Sequence, residues 1–134
     1  MKKYCLIGVL ALSACSGGRE PAEMNGPQAF FAFDSAEISE QAKNNLLDQS
    51  LVMKNHDDVK IIIEGHCDER GSTEYNLALG ALRAGNAAHV MIKDGVKSDR
   101  IKAISYGKEK PQVLGTGEKV WAQNRNATIR VAKE

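Results

Sequence analysis

Residues 59–84 read VKIIIEGHCDERGSTEYNLALGALRA, and this stretch carries both a fold signal and a chemical one. Val59 to Ile63 is a β-branched run stopped by Gly65, which predicts a strand. A polar loop, His66 to Thr73, follows it. From about Glu74 to Lys93 apolar residues recur at Leu77, Ala81, Ala84, Ala88 and Met91, spaced by four and three, which predicts a helix with those residues inward. Asp94-Gly95 ends it, as glycine just past a helix commonly does.

Working outward, the same alternation continues on both sides. Upstream, Ala29-Phe30-Phe31-Ala32-Phe33 predicts a short apolar strand. Ser39 then caps a helix running to about Asn55, with Leu46, Leu47, Leu51 and Met53 on its buried side. Downstream, Ile101 to Tyr106 and Ala127 to Ala132 predict two more strands, with a short helix at Lys119 to Arg125 between them. The order β-α-β-α-β-β predicts an α/β (α+β) sandwich, two main helices packed on one face of a mixed four-stranded sheet.

The first residues speak to compartment. Lys2 and Lys3 form a basic start, and Leu6 to Leu12 is an apolar run too short to span a bilayer comfortably. Leu12-Ser13-Ala14-Cys15 resembles the lipobox read by the bacterial lipoprotein signal peptidase. Residues 1–14 are therefore expected to be a signal peptide, and residues 15–27 a lipidated cysteine and flexible tether. The folded domain is expected over residues 28–134. The covalent lipid expected on Cys15 is an S-diacylglycerol with an N-acyl chain, and no other cofactor is expected. Acyl chains contribute about 0.8 kcal/mol per buried CH₂, so two or more anchor stably. Twelve tether residues reach at most about 40 Å extended.

Of the three cysteines, Cys5 leaves with the signal and Cys15 takes lipid, so Cys67 stands alone and no internal disulfide is available. Without Lys2 and Lys3 the mature chain has sixteen basic against seventeen acidic residues. A net charge of −1 speaks against nucleic acid, which requires a basic face.

The chemistry converges beside the quoted loop. A β-α-β unit makes the first two strands parallel, so Phe33-Asp34 and His66 to Gly71 leave the sheet at one edge. The second helix starts directly after that loop, and its positive N-terminal end faces the same crevice. Asn76 and Arg83 lie two turns apart on one helix face, with Leu79 beside them. Helical side chains lean toward the N-terminus, which aims Arg83 back at the loop carrying Asp68. A carboxylate, a guanidinium, amides and an aromatic wall suit a small zwitterion, with Asp68 for its ammonium and Arg83 and helix amides for its carboxylate. Charge-assisted bonds of about 1.5–3 kcal/mol each give reversible affinity.

At this point a resemblance enters. Ile62-Ile63-Glu64-Gly65-His66-Cys67-Asp68-Glu69-Arg70-Gly71, Glu74-Tyr75-Asn76, Leu79-Gly80 and Arg83-Ala84 resemble the signature of the OmpA-like C-terminal domain family. Ser105-Tyr106-Gly107-Lys108-Glu109-Lys110-Pro111 and Val113-Leu114-Gly115 are similar to its peptidoglycan-associated lipoprotein branch. The resemblance covers about Phe30 to Val131. It implies binding of the meso-diaminopimelate of peptidoglycan stem peptides, with Asp68 and Arg83 as principal contacts. Phe33, Asp34, Asn76 and Leu79 match accessory positions. It further implies outer-membrane attachment through the lipid, and TolB and the Tol complex as partners. Among departures from the family pattern, Cys67 stands where a small non-thiol residue is commoner, Gly85 interrupts the helix, and Asn126 follows Arg125 where a second arginine is common.

Each site residue has a structural alternative: Asp68 as a loop cap or partner of Arg70, Arg83 as a solvated helix charge, Asn76 as a loop staple, Asp34 as a helix cap, Phe33 as core. Adjacent His66, Cys67, Asp68 and Glu69 supply no tetrahedral metal set, and no C-x₂-C or H-x₃-H pair accompanies them. Cys67 and His66 are neighbours on an extended loop and point apart, so no nucleophile–base pair is expected. The expectation is a non-enzymatic binding module; a wall hydrolase and an envelope protein–protein adaptor are the alternatives.

Overall fold

The computed structural model describes residues 18–132; the expected signal peptide, Cys15 and the first tether residues lie outside them. Among the described residues four strands and three α-helices alternate: β1 (Gly26–Phe30), α1 (Glu40–Asn55), β2 (Lys60–His66), α2 (Thr73–Lys93), β3 (Ile101–Gly107), α3 (Glu118–Asn124) and β4 (Asn126–Ala132). The strand order is β1-β4-β2-β3. β4 pairs antiparallel with both β1 and β2, and β2 pairs parallel with β3. β1 and β2 thus run the same way, as the β-α-β reading requires, but with β4 between them. The mixed four-stranded sheet is the expected α/β architecture, with α3 added to the two main helices.

Period-two alternation puts Ile61, Ile63, Ala127 and Ile129 in the core, against Leu46 and Met53 from α1 and Ala84, Ala87, Ala88 and Met91 from α2. The other sheet face is polar. There Glu64 accepts from Arg130 Nε at 2.8 Å and lies 3.1 Å from His66 Nε2, and Tyr106 stacks on the His66 ring.

Ser39 Oγ caps α1 through the Ala42 amide, as expected, and Ser72 Oγ, read in the sequence as part of the loop, caps α2 through the Tyr75 amide. Gly95 follows the C-cap of α2 at φ +112°.

Four expectations need correction. The tether is folded in its second half: Pro21–Met24 form a 3₁₀ turn, Met24 is fully buried, and β1 begins at Gly26 rather than Ala29. One methionine is enough to anchor that turn, although its neighbours are polar. β1 ends at Phe30 because Phe30 pairs with Asn126, the first residue of β4; the chain then turns at Asp34, whose φ is +58°. β2 does not stop before Gly65 but runs through it to His66, since the missing side chain admits α2. Finally, Leu51, Leu77 and Ala81 are exposed, and the inward faces carry Val52, Asn76, Leu79, Gly80, Arg83 and Ala87 instead. The apolar spacing was right for a helix but off in phase over its first turns, because the true inward stripe includes polar groups.

Candidate functional site

The carboxyl end of β2, the turn after β1 and the first three turns of α2 enclose a small hollow. Phe33, Asp34, Asp68, Asn76, Leu79 and Arg83, the six residues singled out in the sequence, all line it. Arg70 and Tyr75 complete it. Its volume is about 10 Å³, room for roughly one water.

Arg83 owes its position to a glycine contact. Gly65 and Gly80 touch backbone to backbone, which seats α2 directly on β2, and Arg83 follows one turn later. Its side chain is 1% exposed. Nε donates to Ser35 O at 2.8 Å, Nη1 to His66 O at 3.0 Å and Nη2 to Ala32 O at 3.1 Å. The guanidinium therefore ties the turn after β1 to the end of β2, and three of its five N–H donors are engaged. Burial pulls its pKa below the ordinary arginine value, with the Asp68 charge acting in the opposite direction. The solvated-charge alternative does not describe it.

Asp68 is 4% exposed and heavily bonded. Arg70 chelates it, Nε to Oδ1 at 3.2 Å and Nη2 to Oδ2 at 2.8 Å, while the Arg70 amide donates to Oδ1 at 3.0 Å. Arg125 Nη1 reaches Oδ2 at 3.3 Å. Burial alone would raise the Asp68 carboxyl; the Arg70 and Arg125 hydrogen bonds outweigh it and hold the group below the usual aspartate value. Asp68 and Arg83 thus share one hollow without forming a direct ion pair, and the partner of Asp68 is Arg70, the structural alternative weighed for it.

The remaining positions frame these charges. Asn76 is 2% exposed, and its amide donates to Arg70 O at 2.8 Å and Ser72 O at 3.0 Å, which makes it the staple of the loop as well as a lining residue. Leu79 forms an apolar floor. Asp34 sits in the left-handed region that aspartate tolerates better than most residues, so it is a turn residue and not a helix cap. Phe33 is exposed and its ring covers Arg70, with the guanidinium carbon 4.0 Å from the ring centre, so it is wall and not core. One helix amide expected for an incoming anion, that of Tyr75, is already taken by Ser72.

Three contributors escaped the sequence reading. Trp121, in the middle of α3, closes over the other face of Arg70, again 4.0 Å from ring centre to guanidinium carbon, and donates to Glu69 Oε2 at 2.7 Å. Arg125 bonds Phe31 O at 2.8 Å and Glu118 Oε2 at 2.7 Å besides Asp68. Arg70 itself was considered only as a partner. No local pattern announces these contacts, since Arg125 and Trp121 lie more than fifty residues from their partners in the loop.

Cys67 and His66 have separate partners. Cys67 is buried, its Sγ donates to Asn76 O at 3.3 Å, and burial raises the thiol pKa. The His66 ring bonds Glu64 on the other face of the sheet. Among the described residues no three His, Cys, Asp or Glu side chains cluster to hold a metal.

Comparison with known proteins gives a consistent picture. Residues 30–125 match the model of the OmpA family. The peptidoglycan-associated lipoprotein of Mesorhizobium japonicum is 41% identical over 121 residues, 90% of this chain and 72% of that one. That of Rhizobium meliloti is 40% identical over 122 residues, 90% of this chain and 69% of that one. The crystal structure of the peptidoglycan-associated lipoprotein from Burkholderia pseudomallei superposes with a TM-score of 0.77 at 38% identity, covering 84% of this chain and 93% of that one. The C-terminal domain of Helicobacter pylori MotB shares the fold, with a TM-score of 0.74 at 20% identity over 81% of this chain and 84% of that one.

Proposed function

The chain belongs to the OmpA family and, within it, to the peptidoglycan-associated lipoproteins, and from this premise we propose that it binds peptidoglycan non-covalently and tethers the outer membrane to the cell wall. The ligand is the meso-diaminopimelate of an uncrosslinked stem peptide, and the site is the Asp68–Arg83 hollow. One observation carries the reading: a carboxylate and a buried guanidinium, brought together from loop and helix, face one hollow without neutralising each other directly. A guest bearing both charges is complementary to that pair. Asp68 receives the ammonium, and the two N–H groups Arg83 has to spare meet a carboxylate.

The rest of the reading follows from family and sequence. Residues 1–14 are a signal peptide, Cys15 carries the S-diacylglycerol and N-acyl chains, and the lipid sits in the outer membrane with the domain in the periplasm. The partners are TolB and the Tol complex of the Tol–Pal system, which serves envelope integrity and cell division. The protein acts by binding, without catalysis. A weak pocket suffices, because many tethered copies facing a polymer of repeated ligands hold two surfaces together by avidity.

The test is co-sedimentation of the protein with purified peptidoglycan. Asp68→Asn is expected to abolish it while the far-ultraviolet dichroism stays that of the parent. Undiminished sedimentation of that variant would reject the site. Palmitate labelling lost in Cys15→Ser tests the anchor.

A further inference from the structure

The hollow is nearly filled, and what fills it is a side chain of the protein itself. Both oxygens of Asp68 are occupied by four donors: the Arg70 amide, Nε and Nη2, and Arg125 Nη1. A carboxylate offers about four acceptor sites, so none is left for a guest. The remaining volume, about 10 Å³, admits no amino acid. For the function proposed above, on which this inference rests, something must leave.

The two arginines differ in how firmly they are held. Arg125 is 6% exposed, bonded to Phe31 O, and fixed by both oxygens of Glu118. The Arg70 side chain is one-third exposed and, apart from Asp68, is held by the rings of Phe33 and Trp121. Its backbone is anchored independently: its amide donates to Asp68 and its carbonyl accepts from Asn76. The Arg70 side chain can therefore swing out without unfolding the loop.

We propose that Arg70 is an internal stand-in for the guest, a cation that occupies Asp68 and the slot between Phe33 and Trp121 until a ligand ammonium displaces it. Binding is then an exchange of one cation for another. The slot suits either occupant, because an ammonium on an aliphatic stem gains from two aromatic faces as a guanidinium does. The exchange makes Arg70 a specificity-determining residue: a ligand without a cation cannot repay the lost Asp68 contacts, so neutral and purely anionic wall fragments are excluded. It also weakens the apparent affinity by the fraction of time Arg70 spends outside.

Arg70→Gln separates this from the parent reading. The variant keeps the backbone anchors, and Arg125 still faces Asp68. Calorimetric titration of the detergent-solubilised full chain with a meso-diaminopimelate stem peptide is expected to give about tenfold tighter binding for Arg70→Gln than for the parent, as removal of a competing bound state requires. Trp121 is the sole tryptophan, so its emission reports on the slot. Adding the peptide is expected to shift that emission in the parent, as one cation replaces the other, and to shift it differently in Arg70→Gln, where the slot is filled anew. The same peptide with its diaminopimelate amine acetylated is expected to leave the parent unchanged. Equal or weaker binding by Arg70→Gln, with the parent binding normally, overturns the stand-in role and leaves the proposed function untouched. Failure of both proteins to bind overturns both.

Discussion

Gly65 and Gly80 meet backbone to backbone, and a Cβ built on Gly65 would fall inside the Gly80 carbonyl. One on Gly80 would strike Ser105 Oγ. This contact sets the height of α2 above the sheet and so the reach of Arg83. Gly65→Ala is expected to unfold the domain or to cost more than the roughly 1–3 kcal/mol usual for overpacking, because backbone cannot step aside. Urea denaturation checks it. Gly80→Ala is expected to be milder, since the Ser105 hydroxyl can rotate away.

Gly85 is the control for that argument. Nothing lies within 4 Å of the Cβ it lacks, and it sits inside α2. Gly85→Ala is expected to stabilise the protein by about 1 kcal/mol through helix propensity alone. A shift of the urea midpoint to lower concentration would contradict it.

Arg83 has a structural duty that a mere ligand contact would not have. Removing it leaves Ala32, Ser35 and His66 carbonyls without their donor. Arg83→Ala is expected to lose on the order of 3 kcal/mol or more in stability, as charged hydrogen bonds of this kind imply. Asp68→Asn, which can keep the Arg70 amide bond, is expected to lose less. Comparing the two by thermal unfolding before any wall-binding assay separates loss of site from loss of fold.

Asp68 ties stability to acid pH. Its folded carboxyl titrates below the unfolded aspartate value because the hydrogen bonds from Arg70 and Arg125 outweigh burial. Its contribution is therefore fully present above the unfolded value and is lost as pH falls through the depressed folded one. The stability difference between parent and Asp68→Asn is expected to stay constant from neutral pH to about pH 4 and to shrink below it. Urea denaturation of both proteins across that range measures it. A difference already collapsing near pH 6 would mean the carboxyl is not held down.

Cys67 is expected to be inert in the folded protein. Burial raises its thiol pKa and its Sγ is bonded to Asn76 O. A disulfide reagent at pH 7.5 (about one unit below a free thiol) should label it only at the rate of unfolding, and rapidly in denaturant. Fast labelling of the folded chain would show that the loop opens.

What was legible in the sequence is what local chemistry dictates. The β-branched run at Val59 to Ile63, the cap at Ser39 and the glycine after Asp94 each act within a few residues, and α1, β2 and α2 appear where those signals stand. The six residues singled out around Asp68 and Arg83 line one hollow: four come from the loop and helix contiguous in the chain, while Phe33 and Asp34 reach it from the turn after β1. Tertiary structure decided the rest. Only the interposition of β4 brings Arg125 to Asp68, and only the approach of α3 lays Trp121 over Arg70. Only the Gly65–Gly80 contact shows why a polar residue, Arg83, belongs on the inward face of a helix whose apolar residues suggested another phase. Periodicity records which residues avoid water; it cannot record that a buried guanidinium is satisfied by carbonyls nearly fifty residues away, and that satisfaction is what permits the burial.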